Sequence, residues 1–476
     1  MEYKISNRLR IGAIIMIVLG LLCVAFGFMD SHQYQTEEDV KELLASEHAE
    51  HGEAEHAIAD HAEGTHVTST GEHYDGNVHA AVSENHNAEG DMDHVVGEHE
   101  MSHEEHVLHQ IHNRPWAALY VGAFFFFMIA LGVLAFYAIQ YAAQAGWSPV
   151  LFRVMEGITA YVVPGGIIVL LIAVASHYIG HNSIFIWMDG DLMNPDSGKY
   201  DKLVAGKQSW LNMPWFIIRG IIFIAGWALY RHFSRKFSLA QDRADINDNR
   251  NFKKNFRISA AFLVFYIYTE SMMSWDWIMS VDPHWFSTLF GWYVFASMVV
   301  SGVTVIAMIS IFLKSKGLLE FVNDSHIHDL AKFMFGFSIF WTYLWFSQFM
   351  LIWYSNIPEE VTYFVTRIEH YRLPFFGMVA MNFLFPLLLL MNSDYKRINW
   401  FVVMTGIVIL GGHYLDVFNW IMPATVVDRW FIGLPEIGSV LLFGGLFLLV
   451  VFTALGKAPL LAKGNPFIKE SEHFHY

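Results

Sequence analysis

Residues 265–284 read FYIYTESMMSWDWIMSVDPH. The run is apolar and aromatic enough to lie in a bilayer, yet Glu270 and Asp276 sit inside it, and Asp282 and His284 follow at its end. A carboxylate in hydrocarbon is costly unless it is paired, neutralised or facing water. On a helix, Glu270 and Asp276 stand about 9 Å apart along the axis and about 120° apart around it. They can border one cavity from two sides, but they cannot share a proton directly. The stretch predicts a membrane-spanning helix whose polar groups belong to a proton- or quinol-handling interior.

Composition extends that reading to the whole chain. Of 476 residues, 54% are hydrophobic and 16% charged, against about a quarter charged in a soluble protein. The expected fold class is all-α, a polytopic membrane protein. Ten segments reach the roughly 20 residues needed to cross a bilayer: 11–29, 115–142, 149–178, 210–230, 258–281, 286–313, 333–354, 373–391, 399–419 and 435–456. The first reads as an uncleaved anchor, because AFGFM at 25–29 is a poor cleavage site. With the N-terminus inside, the inner segments carry twenty Lys and Arg and the outer loops eight, which places both termini in the cytoplasm. The loop lengths fit two four-helix bundles with the first and last spans outside them. The expected divisions are an anchor at 1–30, an outer loop at 31–114, a first bundle at 115–281, a second at 282–420, and a last helix with a cytoplasmic tail at 421–476. The lone cysteine, Cys23, rules out an intrachain disulfide, a cysteine-ligated iron–sulfur cluster and a CxxCH haem site in this chain. The net charge of −16 resides mostly in one loop and suggests no nucleic-acid partner.

That loop, 31–114, is poor in apolar residues and rich in acid and histidine. It reads as a solvated, partner-facing segment whose acidity suits a basic partner. His99, His103 and His106 fall at i, i+4 and i+7 and are weak candidate metal ligands.

Sorted by depth, the polar groups inside the spans suggest a path. Glu156 lies near the inner end of the third span, and Arg219 and Glu270 near the middle of the fourth and fifth. Asp276, His177, Gln348, His413 and Asp416 occupy outer halves, with His181, Asp282 and His284 at the outer boundary. Candidate proton-pathway residues are Glu156, Arg219, Glu270, Asp276, His413 and Asp416, since carboxylates and imidazoles both take and release protons. Candidate quinone-pocket residues are His177, Gln348, His413 and Asp416. A plainer account pairs Arg219 with Glu270 as a structural ion pair and makes Glu156 a charge favoured at a helix start. His413 and Asp416, three apart on one face, are the more specific pair. The aromatic run FGFSIFWTYLWFSQFMLIWY at 335–354 reads mainly as lipid-facing or interfacial bulk.

MEGITAYVVPGG (155–166), WDWIMSVDPHWFSTLFGWYVFASM (275–298) and MNFLFPLLLL (381–390) resemble the NrfD/PsrC-like family of membrane subunits. The likeness is nearest to the ActF-type subunits of alternative complex III, the bacterial quinol:cytochrome c oxidoreductase. It covers roughly the second to the tenth span. The resemblance implies two four-helix bundles plus two peripheral helices, in the bacterial inner membrane. It also implies partners that carry iron–sulfur clusters and c-type haem, a sister NrfD-like subunit and a terminal oxidase. In that family the sister subunit is the better candidate for the quinol site. For this chain the resemblance implies a scaffold and candidate proton pathway, with no covalently bound cofactor and with quinone or quinol and lipids as candidate ligands. The His-rich loop is not part of the family pattern. A rival reading, a divalent metal-cation transporter, draws on that loop and on the intramembrane His413–Asp416 pair.

Overall fold

The computed structural model describes residues 3–46, 102–180, 183–245 and 247–475. Among them the chain is helical, with no strand. Eleven helices organise it: α1 (Asn7–Ser31), α2 (His103–Ala142), α3 (Pro149–Tyr178), α4 (Met213–Gln241), α5 (Arg250–Trp277), α6 (Phe290–Ser315), α7 (Asp324–Ser355), α8 (Pro358–Glu369), α9 (Arg372–Leu390), α10 (Asn399–Thr425) and α11 (Leu434–Leu455). Nine of these are long and apolar enough to cross a membrane. The chain is therefore a multi-pass helical membrane protein. α5 has the length, and it packs along α4 and α6, its neighbours in sequence. Its carboxylates and hydroxyls keep it below the apolarity of the nine.

Several helices outrun their apolar cores. α2 begins at His103, not 115, so the last twelve residues expected in the outer loop are helical. Ser102 caps it by accepting from the Glu105 N–H, and Glu104 and Glu105 favour the positive end of the helix. α4 continues to Gln241 and α7 starts at Asp324. Hydropathy marks the lipid-matched part of a helix, whereas caps mark its ends.

α1 and α11 lie antiparallel as a peripheral pair. Gly20 and Gly438 permit this, because a Cβ at Gly20 would fall 2.4 Å from the Leu442 nitrogen. The two ends of the bundle are named here by what they carry. The tail end holds Tyr3, its ring tilted against Phe452, and the C-terminal residues, where Ser471 bonds to Trp147 and Val150. The loop end holds the described parts of 31–114, joined where His112 Nε2 meets the Tyr34 carbonyl at 2.7 Å.

α2, α3, α4 and α5 pack in a ring, and α6, α7, α9 and α10 pack in a second. The rings share the α2–α6 seam. These two helices are the most enclosed, each with 89% of its apolar window buried. At the seam a Cβ on Gly132 would come within 2.0 Å of the Met298 carbonyl oxygen, and one on Gly302 within 2.9 Å of the Val133 nitrogen. Only glycine lets the two backbones approach that closely.

Candidate functional site

The second ring encloses a buried polar cluster in its loop-end half. Asp416, on α10, has no exposure to solvent. Its carboxyl accepts from Tyr293 Oη and, at 2.5 Å, from Ser297 Oγ, both on α6, and from Trp341 Nε1 on α7 at 2.8 Å. The α-helical period puts Tyr293 and Ser297 on one face, four apart. His413 stands one turn before Asp416, with Nδ1 3.4 Å from Asp416 Oδ2 and 3.4 Å from Asn382 Nδ2. The other ring nitrogen, Nε2, is buried without a partner. If Nδ1 carries the proton it donates to Asp416. If Nε2 carries it, Nδ1 accepts from Asn382. In that second tautomer the Nε2 proton has no partner among the described residues, so Asp416 is the group with which this imidazole can exchange a proton directly.

Asn382 reaches this place through a local irregularity. Residues Ala380–Leu384 form a π-helical turn within α9, just before Pro386. Proline lacks an N–H and displaces the preceding turn, and π-turns of this kind are frequent at functional sites. Gly412 makes room on α10, since a Cβ there would lie 2.1 Å from Asn382 Oδ1.

Beyond Tyr293 lies a cavity of about 10 Å³, lined by Gln348, Asn419, Arg367, Trp345 and Trp420, at the lower limit for one water. Gln348 Oε1, Asn419 Oδ1, Trp345 Nε1 and Trp420 Nε1 are buried without partners among the described residues. Tyr293 thus touches both the carboxyl and the cavity. Arg367, on the amphipathic helix α8, is buried beside it. It donates to the carbonyls of Asn419 (3.0 Å) and Tyr363 (2.7 Å) and lies 3.3 Å over the Tyr363 ring. Trp285 stacks on the other side of Tyr363, with ring centroids 3.9 Å apart. A fixed cation therefore sits between the Asp416 cluster and the loop end.

The other predicted residues fall in separate places. Arg219 pairs with Asp276 rather than with Glu270. Its Nε lies 2.6 Å from Oδ2 and its Nη2 3.1 Å from Oδ1, and Trp210 Nε1 adds a bond of 2.8 Å to the same carboxyl. Arg219 lies in the second turn of α4, not at its middle, so its depth matches Asp276 near the loop end of α5. Glu156, at the tail end, is no bare helix-start charge. Arg153 Nη1 meets it at 2.5 Å, Tyr137 Oη donates to it at 3.0 Å, and Arg153 reaches on to Asp242 at 2.5 Å. Glu270 is buried apart from these clusters, with Oε1 unpartnered. His177, half-buried at the loop end of α3, has its ring against Tyr178, and no hydrogen bond among the described residues joins it to His413. Gln348 and Asp416 are linked through Tyr293, so two of the four quinone-pocket candidates share a neighbourhood with His413, and the fourth does not.

At the loop end, His284 Nε2 meets Asp201 Oδ2 at 2.5 Å. Burial pushes the Asp201 carboxyl up, but the bonds from His284 and from the Val204 and Leu203 N–H groups outweigh it and hold the carboxyl below its ordinary range. Among the described residues no group of three or more His, Cys, Asp or Glu is arranged to hold a metal. His103 and His106 lie on the first turn of α2. His99 and His181 are outside the described residues. The sequence matches no family model and no curated protein.

Tyr293, Ser297, Trp341, Asn382 and Arg367 were not foreseen as site residues. Singly, a tyrosine, serine or tryptophan in an apolar run is ordinary, and only the packing makes them converge on Asp416. One signal was present. The segment PEEVTYFVTRIE after Asn356 carries a first-turn proline, two early acids and apolar residues at 361, 364, 365 and 368, the signature of an amphipathic helix rather than a loop.

Proposed function

We propose that this chain is an integral subunit of a quinol-oxidising respiratory complex of the inner membrane, an ActF-type subunit of alternative complex III. In this reading both termini are cytoplasmic and the His-rich loop is periplasmic. The chain scaffolds iron–sulfur, c-haem and sister membrane subunits, and the second ring carries protons. The observation that supports it is the Asp416 carboxyl, held in the bundle interior by Tyr293, Ser297 and Trp341, with the His413 imidazole 3.4 Å away. Tyr293, the 10 Å³ cavity and Gln348 extend this polar line toward the loop end, where Arg367 is held by the Asn419 and Tyr363 carbonyls.

The test has two parts. Purification from native membranes is expected to bring haem absorbance along with the chain. Isolation as a lone polypeptide that binds zinc would instead support metal transport. In the purified complex, Asp416→Asn is expected to lower quinol oxidation tenfold or more, or to abolish proton translocation beyond the two protons that each quinol itself releases. Unchanged rate and stoichiometry would reduce the chain to a scaffold.

A further inference from the structure

The flank of the first ring carries a second, unrelated feature. Glu270 is 2% exposed. Among the described residues its Oε1 has no partner, and its Oε2 has only Ser271 Oγ at 3.5 Å. That hydroxyl is already given to the Ile267 carbonyl at 3.0 Å. The carboxyl lines a cavity of about 180 Å³ between α2, α5 and α6, together with Ala135, Tyr266, Ile267, Trp292 and Phe295. Ile267 and Trp292 at its rim are 43% and 44% exposed. Both lie on the membrane-facing stretch of their helices, so the cavity opens sideways into the bilayer rather than toward either end of the bundle.

The size and lining define the occupant. A cavity near 150 Å³ accepts one benzene-sized ring, and whole drug-sized ligands need about 300 Å³ or more. One ring fits, and an attached chain stays in the lipid. Tyr266, Trp292 and Phe295 supply aromatic surface for that ring. Glu270 Oε1 is unpartnered among the described residues, and a ring hydroxyl, which can both donate and accept, suits a carboxyl in either protonation state. A cationic amine would have to shed its water among apolar walls, whereas a hydroxyl would not meet that penalty.

We propose that the α5–α6 flank binds a membrane-soluble hydroxyarene, its ring in the 180 Å³ cavity and its hydroxyl hydrogen-bonded to Glu270. This does not rest on the respiratory assignment and holds or fails separately from it.

The test uses the protein as purified, in whatever complex it forms, reconstituted in phospholipid nanodiscs. Dicyclohexylcarbodiimide, a lipid-soluble carboxyl reagent, is expected to label Glu270, as located by peptide mass spectrometry. Dodecylphenol is expected to suppress that labelling at least fivefold, and dodecylbenzene, which lacks the hydroxyl, to suppress it less than twofold. A decyl-substituted hydroquinone forms a second arm: protection by both compounds supports a general hydroxyarene site, and protection by the hydroquinone alone supports a narrower quinol site. Ile267→Trp, a change at the exposed rim, is expected to block labelling without disturbing folding. Equal suppression by dodecylbenzene, no suppression by either hydroxyarene, or labelling only by a water-soluble carbodiimide would overturn the proposal.

Discussion

Replacing Asp416 tests the reasoning most directly, because its two obvious substitutions should behave differently. Asp416→Ala removes the acceptor for three buried donors, Tyr293 Oη, Ser297 Oγ and Trp341 Nε1. In water-soluble cores each orphaned donor costs about 1–3 kcal/mol. Within a membrane the unfolded reference also finds partners, and measured values average about 0.6 kcal/mol per bond. Three bonds then give about 2 kcal/mol, and the truncation void raises the expected loss to about 2–5 kcal/mol. Asp416→Asn keeps the shape and one carbonyl oxygen. Both hydroxyls can rotate to accept from the new amide, so the expected cost is about 1 kcal/mol. Thermal unfolding in nanodiscs, followed by tryptophan fluorescence, reads the difference. The alanine variant should melt well below the asparagine variant, while both lose the titratable group. Equal melting temperatures for the two would refute the claim that the carboxyl organises its donors.

Other perturbations have equally definite expectations. Gly132→Val places branched carbon where a single Cβ already meets the Met298 carbonyl at 2.0 Å, and it should abolish accumulation of folded protein, measured by size-exclusion yield. Asp276→Leu strands a mostly buried guanidinium and should cost about 3–5 kcal/mol, while the double change Arg219→Met with Asp276→Leu should recover most of it; a thermal-melt cycle compares them. The Asp201 carboxyl is held below its ordinary range, so its contribution is full above that range and is lost as pH falls through the depressed value. Protection of residues 183–211 from hydrogen exchange, taken relative to the intrinsic rate at each pH, should therefore fall on acidification, and Asp201→Asn should lower it at neutral pH and remove that acid dependence.

Spans were legible in the sequence because a run of twenty apolar residues has few other uses. Helix ends were not, since Ser102 and Asn323 cap their helices through side-chain geometry that hydropathy ignores. The aromatic run at 335–354 does expose Tyr343, Phe346, Leu351, Trp353 and Tyr354, but Trp341 points inward to Asp416, and composition could not separate the one from the others. The i, i+3 spacing made His413 and Asp416 readable as a pair. Partners from different helices were not readable: Arg219 at one depth could meet either Glu270 or Asp276, and the choice between them depends on how α4 is set against α5.

The glycine seam between α2 and α6 has a mechanical consequence. Backbones that approach as closely as those at Gly132 and Gly302 have no soft layer of side chains between them, so the two rings share one closely packed seam. Rocking of one half against the other, the motion by which many carriers expose a central site alternately to each side, would have to pull that contact apart.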